Sequence, residues 1–319
     1  MTNVTHRDPP ATSEINEPAD EYGMIDVIKS TNKTPVHKVE KIVKEVFAPQ
    51  SECHFAHGEQ HKDAVCAPKP ILNKMTEFVR SKGKPANNPK QVVNTMKELL
   101  DCNSESCLFK RKDFVEFAKI TNIEDILNKF YKPAGAATNF NLLSNFNIDD
   151  VLDQFEKRFK DRKFLHIPFQ MRDFERVGTE LATVNLAAKF REGYKTFGVV
   201  LNTDWSKNQG IHWYCLFGEH YGDHIEIEYF NSSGKAPLPE TEAWMQKTKH
   251  FLEKELKIPV KLVYSTGIEF QFDNHSCGVY TLAYIWLRLE KVPPTWFRAD
   301  NFYDDLMHML RKNLFRWEI

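Results

Sequence analysis

The stretch that most constrains this chain is Gln271–Tyr280, Gln-Phe-Asp-Asn-His-Ser-Cys-Gly-Val-Tyr, where a polar run turns into the apolar segment Val279–Leu287. That segment reads as a buried helix, which the rest of the fold must cover. It falls well short of the ~20 apolar residues that span a bilayer. The helix opens at Cys277-Gly278. A thiol there sits at the positive end of the helix dipole, among backbone N–H groups without intrahelical partners, and both favour its anion. The thiolate is the nucleophilic form, so the position suits an attacking cysteine.

Most free cysteines are small buried hydrophobes, and Cys215, inside an apolar strand pattern, fits that description. Cys277 differs in its flanks. Polar Asn274-His275-Ser276 leave the sulfur accessible, and Gly278 lets a substrate backbone approach. His212 can take the thiol proton at neutral pH, since an imidazole titrates near about 6.5. His275 is a rival base, but from two residues away on a tight turn its ring does not easily point back at the sulfur. Asn231, in Tyr-Phe-Asn-Ser-Ser-Gly, is good turn chemistry and is also suited to hold one imidazole nitrogen so that the other faces the thiol. The Gln271 amide can join the Cys277 backbone N–H as an oxyanion hole, a role worth about 3 to 4 kcal/mol. Trp213, directly after His212, is expected to roof the path to Cys277, so that glycine passes and a residue with a Cβ collides.

The formal net charge of −1 over 319 residues provides no basic field for nucleic acid or anionic lipid. Six cysteines are too few for a disulfide scaffold, and the first thirty residues lack the apolar core of a signal peptide. The expectation is a soluble, non-secreted protein of a reducing compartment, where a lone thiol does chemistry rather than bridging.

Residues 1–35 are rich in Pro, Asn, Thr and acids without an apolar period and read as a disordered tail. From Val36 the pattern is helical, with pieces at Val39–Val46, Ile71–Val79, Val92–Leu100, Phe114–Ala118 and Ile123–Tyr131. Residues 36–135 therefore predict an all-helical arm domain, joined through a hinge at Lys132-Pro-Ala-Gly-Ala-Ala-Thr-Asn139 to a core domain over 136–319. In the core, helices are expected at Asp149–Phe159, Thr241–Leu256 and Leu306–Leu314. Strands are expected at Phe197–Leu201, His212–Phe217, Ile225–Phe230 and Val260–Tyr264. This mixture predicts an α+β core with its sheet edge-on to the Cys277 helix.

Cys53-x3-His57-x3-His61-x4-Cys66 offers four donors of the kind that suit tetrahedral zinc. Its spacing matches no standard finger, and the cysteines suit helix interfaces equally well, so no metal and no cofactor are expected. Phe109-Lys-Arg-Lys112 reads as a solvated helix start.

His212-Trp213, then Asn231, then Cys277-Gly278, with Gln271 upstream of the cysteine, resembles the ubiquitin-like-protein-specific cysteine proteases and the related adenovirus maturation protease. Many members carry Asp where this chain has Asn231, a departure that some viral members share. Further segments, Asn103-Ser-Glu-Ser-Cys107, Leu143-Ser-Asn-Phe-Asn-Ile148, Asp173-Phe-Glu-Arg176, Thr196-Phe-Gly198, Leu201-Asn-Thr-Asp204 and Glu228-Tyr-Phe-Asn-Ser232, resemble the polyprotein-processing proteases of African swine fever virus and relatives. The resemblance runs from about residue 51 onward. It implies a papain-like core of the ubiquitin-like-protease type, with Cys277, His212 and Asn231 catalytic and Gln271 at the oxyanion. Trp213 and Asn202 are expected at the substrate. The implied substrates are viral structural polyproteins cut after Gly-Gly during virion maturation, with the arm contacting capsid or core-shell proteins. The implied places are the host cytoplasm and the virion core. An isopeptidase acting on host ubiquitin-like modifiers and a non-catalytic core-shell scaffold are the alternative readings.

Overall fold

The computed structural model describes residues 35–56, 64–137 and 140–316, all within one compact unit. The tail expected over 1–35, Pro35 apart, lies outside the described residues, as do His57 and His61. The amino-terminal region forms α1 (Val36–Phe47), α2 (Lys69–Ser81), α3 (Pro89–Leu99), α4 (Lys112–Ala118) and α5 (Ile123–Phe130). Next come α6 (Asn145–Arg158), three short helices α7 (Phe174–Val177), α8 (Glu180–Thr183) and α9 (Leu186–Arg191), then α10 (Pro239–Leu256), α11 (Cys277–Leu289) and α12 (Asp304–Leu314). Five strands, β1 (Phe164–His166), β2 (Thr196–Asn202), β3 (Trp213–His220), β4 (Ile225–Phe230) and β5 (Val260–Ser265), lie side by side in that order. The middle three are antiparallel, and β1 and β5 run parallel to their neighbours. The fold is α+β.

Alternation along the strands sorts the core into two layers. Trp213, Cys215 and Phe217 of β3 share one face with Val200 and Phe230 and pack against α11. Tyr214 and Leu216 point the other way, with Val199, Leu201, Ile225 and Ile227, toward Trp244, Met245 and Leu252 of α10. Both faces are covered, which is why β2 and β3 read as nearly continuous apolar runs. Every residue of α11 is buried. That helix lies across the sheet face, not edge-on as expected, because a helix apolar all round needs cover on all sides.

The polar positions of β4 have their own partners. Glu228 is fully buried and accepts from Arg288 Nη2 (2.6 Å), Arg288 Nε (2.8 Å) and the Tyr284 hydroxyl (2.7 Å), all from α11. The pair costs desolvation, and its bidentate geometry offsets that cost.

α2 to α5 gather a separate apolar cluster around Met75, Phe78, Met96, Phe109 and Phe114. Here the sequence reading of the cysteines is corrected. Cys53 is disulfide-bonded to Cys66 and Cys102 to Cys107, so the first pair is spent on a cross-link and four of the six cysteines bridge. The physical reason is proximity set by a buried carboxylate. Glu105 accepts from the backbone N–H of Cys66 and Ala67 and from the Tyr131 hydroxyl, which draws the 64–67 segment onto the 102–107 turn.

α1, by contrast, joins the core cluster through Val39, Val46 and Phe47. The Val46 carbonyl and that of Ala48, just past its end, accept from Asn313 Nδ2 of α12 at 3.0 and 2.8 Å. Phe55 wedges edge-on against Phe155 and Trp286. The expected hinge is likewise packed over its described part. Lys132 is buried, donates to the Ser51 carbonyl at 2.7 Å and lies 4.9 Å over the Phe55 ring. A Cβ on Gly135 would meet the Phe315 ring at 2.2 Å, so only glycine fits there.

Candidate active site

The loop from β2 to β3 delivers His212 on a tied backbone. Asn202 Oδ1 accepts from the N–H of Asp204 (3.0 Å) and Ile211 (2.9 Å), and the Asp204 carboxylate accepts from Trp205, Asn208 and Gly210. Thr203 N–H donates to the His212 carbonyl. Asn202 is buried and its oxygen is committed to the loop that carries His212.

His212 Nε2 lies 2.8 Å from Asn231 Oδ1. The orientation of Asn231 is fixed independently: its Nδ2 donates to the Tyr229 hydroxyl (3.0 Å), and its Oδ1 also accepts from Ser233 N–H and Oγ–H. The oxygen therefore faces the imidazole and His212 donates through Nε2–H. The Nδ1 lone pair is left open, which is the form a general base needs. Burial pulls the His212 pKa down, the Asn231 bond opposes that, and Lys235 adds to it.

Cys277 is the first residue of α11 and is buried. Its sulfur meets the backbone N–H of Trp213, the residue after His212. Burial pushes the thiol up from its ordinary value, whereas the N–H groups of Trp213 and Gly278 pull it down and the Asp273 carboxylate pushes it up. The activating helix end expected from sequence is present, but burial of the sulfur outweighs it. Both the thiol and the imidazole rest on the neutral side.

The turn before α11 is built around Asp273. Its Oδ1 accepts from the N–H of His275 (3.0 Å) and Ser276 (2.9 Å), and its Oδ2 accepts from the Ser276 hydroxyl (2.5 Å). Burial alone would raise the Asp273 pKa, but these bonds and the His308 imidazole hold it well below the usual carboxylate range. Gln271 donates both Nε2–H bonds to Asp273, at its carbonyl and at Oδ1, and its Oε1 accepts from Ser232 Oγ (2.7 Å). The candidate oxyanion amide is thus held in place, with its hydrogens on Asp273.

A Cβ on Gly278 would sit 3.1 to 3.3 Å from the Leu143 side chain, so the glycine makes room for Leu143. Leu143 precedes the Ser144–Asn147 capping box of α6, and Ile148 shares its cluster, a staple-like arrangement. The Leu143 carbonyl accepts from Trp213 Nε1–H (3.1 Å), and the indole, 8% exposed, packs edge-on against Phe169. Trp213 is therefore an anchored wall. His275 is turned away toward His308, their rings stacked 5.5 Å apart.

Sequence reasoning missed Asp273 and Leu143. An Asp three residues ahead of the last residue before a helix is a readable turn signal; the contact of Leu143 with Gly278 is non-local and left no such mark.

An α+β core that sets a cysteine at a helix start beside a His–Asn pair is that of a cysteine protease. No protein-family model matches the chain. It is 33% identical over 290 residues to the SUMO-1 cysteine protease of a Kenyan African swine fever virus isolate and to the corresponding cysteine protease of a Malawian isolate, which covers 86% of this chain and 98% of each relative. The crystal structure of the African swine fever virus protease superposes with a TM-score of 0.70 at 32% identity, covering 83% of this chain and 96% of that one. The chain belongs to the family of these African swine fever virus cysteine proteases and is a cysteine protease.

Proposed function

We propose that Cys277 attacks the scissile carbonyl, that His212 takes the thiol proton through Nδ1 and passes it to the leaving amine, and that Asn231 holds the imidazole through Nε2–H. The Cys277 N–H, with one hydrogen of Gln271 released from Asp273, receives the oxyanion. The observation that carries this reading is the 2.8 Å His212–Asn231 pair, which leaves Nδ1 as the open nitrogen one residue from the N–H that meets the Cys277 sulfur.

The substrates in this reading are viral structural polyproteins cut after Gly-Gly, in the host cytoplasm and the virion core, with residues 36–135 recruiting capsid or core-shell partners. The anchored Trp213 supports the narrow specificity, because a fixed indole cannot swing aside for a Cβ. A second reading, removal of ubiquitin-like modifiers, is favoured by the name of one relative, a SUMO-1 cysteine protease. Purified enzyme should cut a Gly-Gly-Ala junction peptide, Gly→Val at either glycine should block the cut, and Cys277→Ala should abolish it with the fold intact. Efficient cutting of the Val peptide would overturn the specificity, and activity in Cys277→Ala would overturn the mechanism. Faster turnover of a modifier-derived probe than of the junction peptide would favour the second reading.

A further inference from the structure

Beside the candidate catalytic centre, and sharing Asp273 with the turn that supports it, three side chains converge from two elements. Asp273 and His275 come from the turn before α11, and His308 comes from α12. One ligand atom from each lies within 4.8 Å of the others. His308 Nε2 is 3.0 Å and His275 Nε2 is 3.3 Å from the same oxygen, Asp273 Oδ2.

The His275 nitrogen is anomalous. It is buried and has no hydrogen-bond partner, although it faces a carboxylate oxygen. The other ring nitrogen, Nδ1, lies 3.2 Å from Asn274 Oδ1, an acceptor, so the neutral ring places its hydrogen there. With its hydrogen there, the ring turns the Nε2 lone pair toward an anion, a contact that a cation on Nε2 relieves, whether a proton or a metal ion. A neutral imidazole whose far N–H is held by an oxygen is also the usual state of a metal-ligating histidine.

We propose that Asp273, His275 and His308 bind a divalent transition metal of the zinc class. Two imidazole nitrogens and one carboxylate oxygen are a known zinc donor set, and bonds near 2.0 to 2.2 Å put tetrahedral ligands about 3.3 Å apart, close to the 3.0 and 3.3 Å that separate Asp273 Oδ2 from the two nitrogens. Binding moves the His308 hydrogen from Nε2 to Nδ1, so that both histidines present lone pairs, and leaves a fourth position for water. The Phe140 ring centroid lies 5.2 Å from that of His275 and 4.7 Å from that of His308. Asp304, which accepts from the N–H of Phe272 and Asp273, adds negative charge nearby, whereas Arg311, which donates to the His275 carbonyl, opposes a cation. The Gln271 amide hangs on the other oxygen of Asp273, so the metal would sit one carboxylate away from the oxyanion donor of the proposed mechanism.

The test is calorimetric titration of zinc into the full-length Cys277→Ala protein, which removes the thiol as a competing ligand. One zinc per chain is expected, and His308→Gln and His275→Gln should each weaken it by at least about tenfold. Glutamine keeps a polar group at each position, and unchanged metal-free melting temperatures would show that the variants fold. Absence of binding, or binding that neither substitution weakens, would overturn the site. Neither outcome depends on the protease mechanism, because catalysis is not the readout.

Discussion

Glu105 and Asp273 do similar work in two regions under opposite electrostatics. Glu105 gathers two backbone N–H groups and a tyrosine hydroxyl inside the helical region, where burial pushes its carboxyl up. Asp273 gathers two backbone N–H groups, a serine hydroxyl and the Gln271 amide at the open end of α11, and enough donors converge to hold it down as an anion. The first clamp stands beside two disulfides and an apolar cluster, so its purpose is to hold the chain. The second sets a charge that Cys277 feels and holds the candidate oxyanion amide of Gln271. A carboxylate that gathers donors thus serves stability or chemistry according to how many it meets and how open its surroundings are.

The comparison can be broken by a paired substitution. Glu105→Ala strands two N–H groups and a hydroxyl, each worth about 1 to 3 kcal/mol when left unsatisfied. Denaturant unfolding should show a loss of about 3 kcal/mol or more, with kcat/KM of the folded enzyme unchanged. Asp273→Asn should show the reverse: a loss of roughly 10- to 100-fold in kcat/KM, as the Gln271 amide loses its charged anchor, with a smaller change in stability. Equal losses of stability in the two variants, with activity preserved in both, would erase the distinction.

A smaller effect sharpens the same contrast at β1. His166 lies 2.8 Å from Asp153 and 3.3 Å from Asp149 of α6; burial would lower its pKa, but the two carboxylates raise it to about 9. A pKa raised on folding stabilises the protein fully below the unfolded value of about 6.5, and that contribution is lost as pH rises through about 9. Lys132 works the other way. Burial lowers its pKa to about 7, so its cost to folding fades with rising pH above that value. The difference in stability between the parent and His166→Gln should therefore shrink from pH 6.5 to 9.5 in chemical denaturation. A difference that stays constant over that range would remove the ion pair from the account.

What was legible in the sequence was what local pattern and residue chemistry force. The apolar run of α11, the amphipathic α10, the strands around His212 and Asn231, and the Cys277 position all carried signals within a few residues. Less legible were features settled by distant partners. β1 is three residues long, too short for a period, and α7 to α9 are barely a turn or two each. The alternation of β4 resembled a strand with a polar face, because the Arg288 that answers Glu228 lies sixty residues away. The pairing of Cys53 with Cys66 depended on Glu105, and the need for glycine at 278 depended on Leu143. Asn202 was expected at the substrate; that its oxygen ties the 203–211 loop depends on residues up to nine positions away.

The central claim, that Cys277 is the nucleophile and His212 its base, is tested most directly by labelling with a peptide vinyl ester ending in Gly-Gly and locating the adduct by mass spectrometry. Cys277 alone should be modified, with Cys215 left untouched beneath α11, and His212→Ala should slow labelling by roughly 100-fold or more. An adduct on another residue, or a labelling rate that His212→Ala leaves unchanged, would contradict the account.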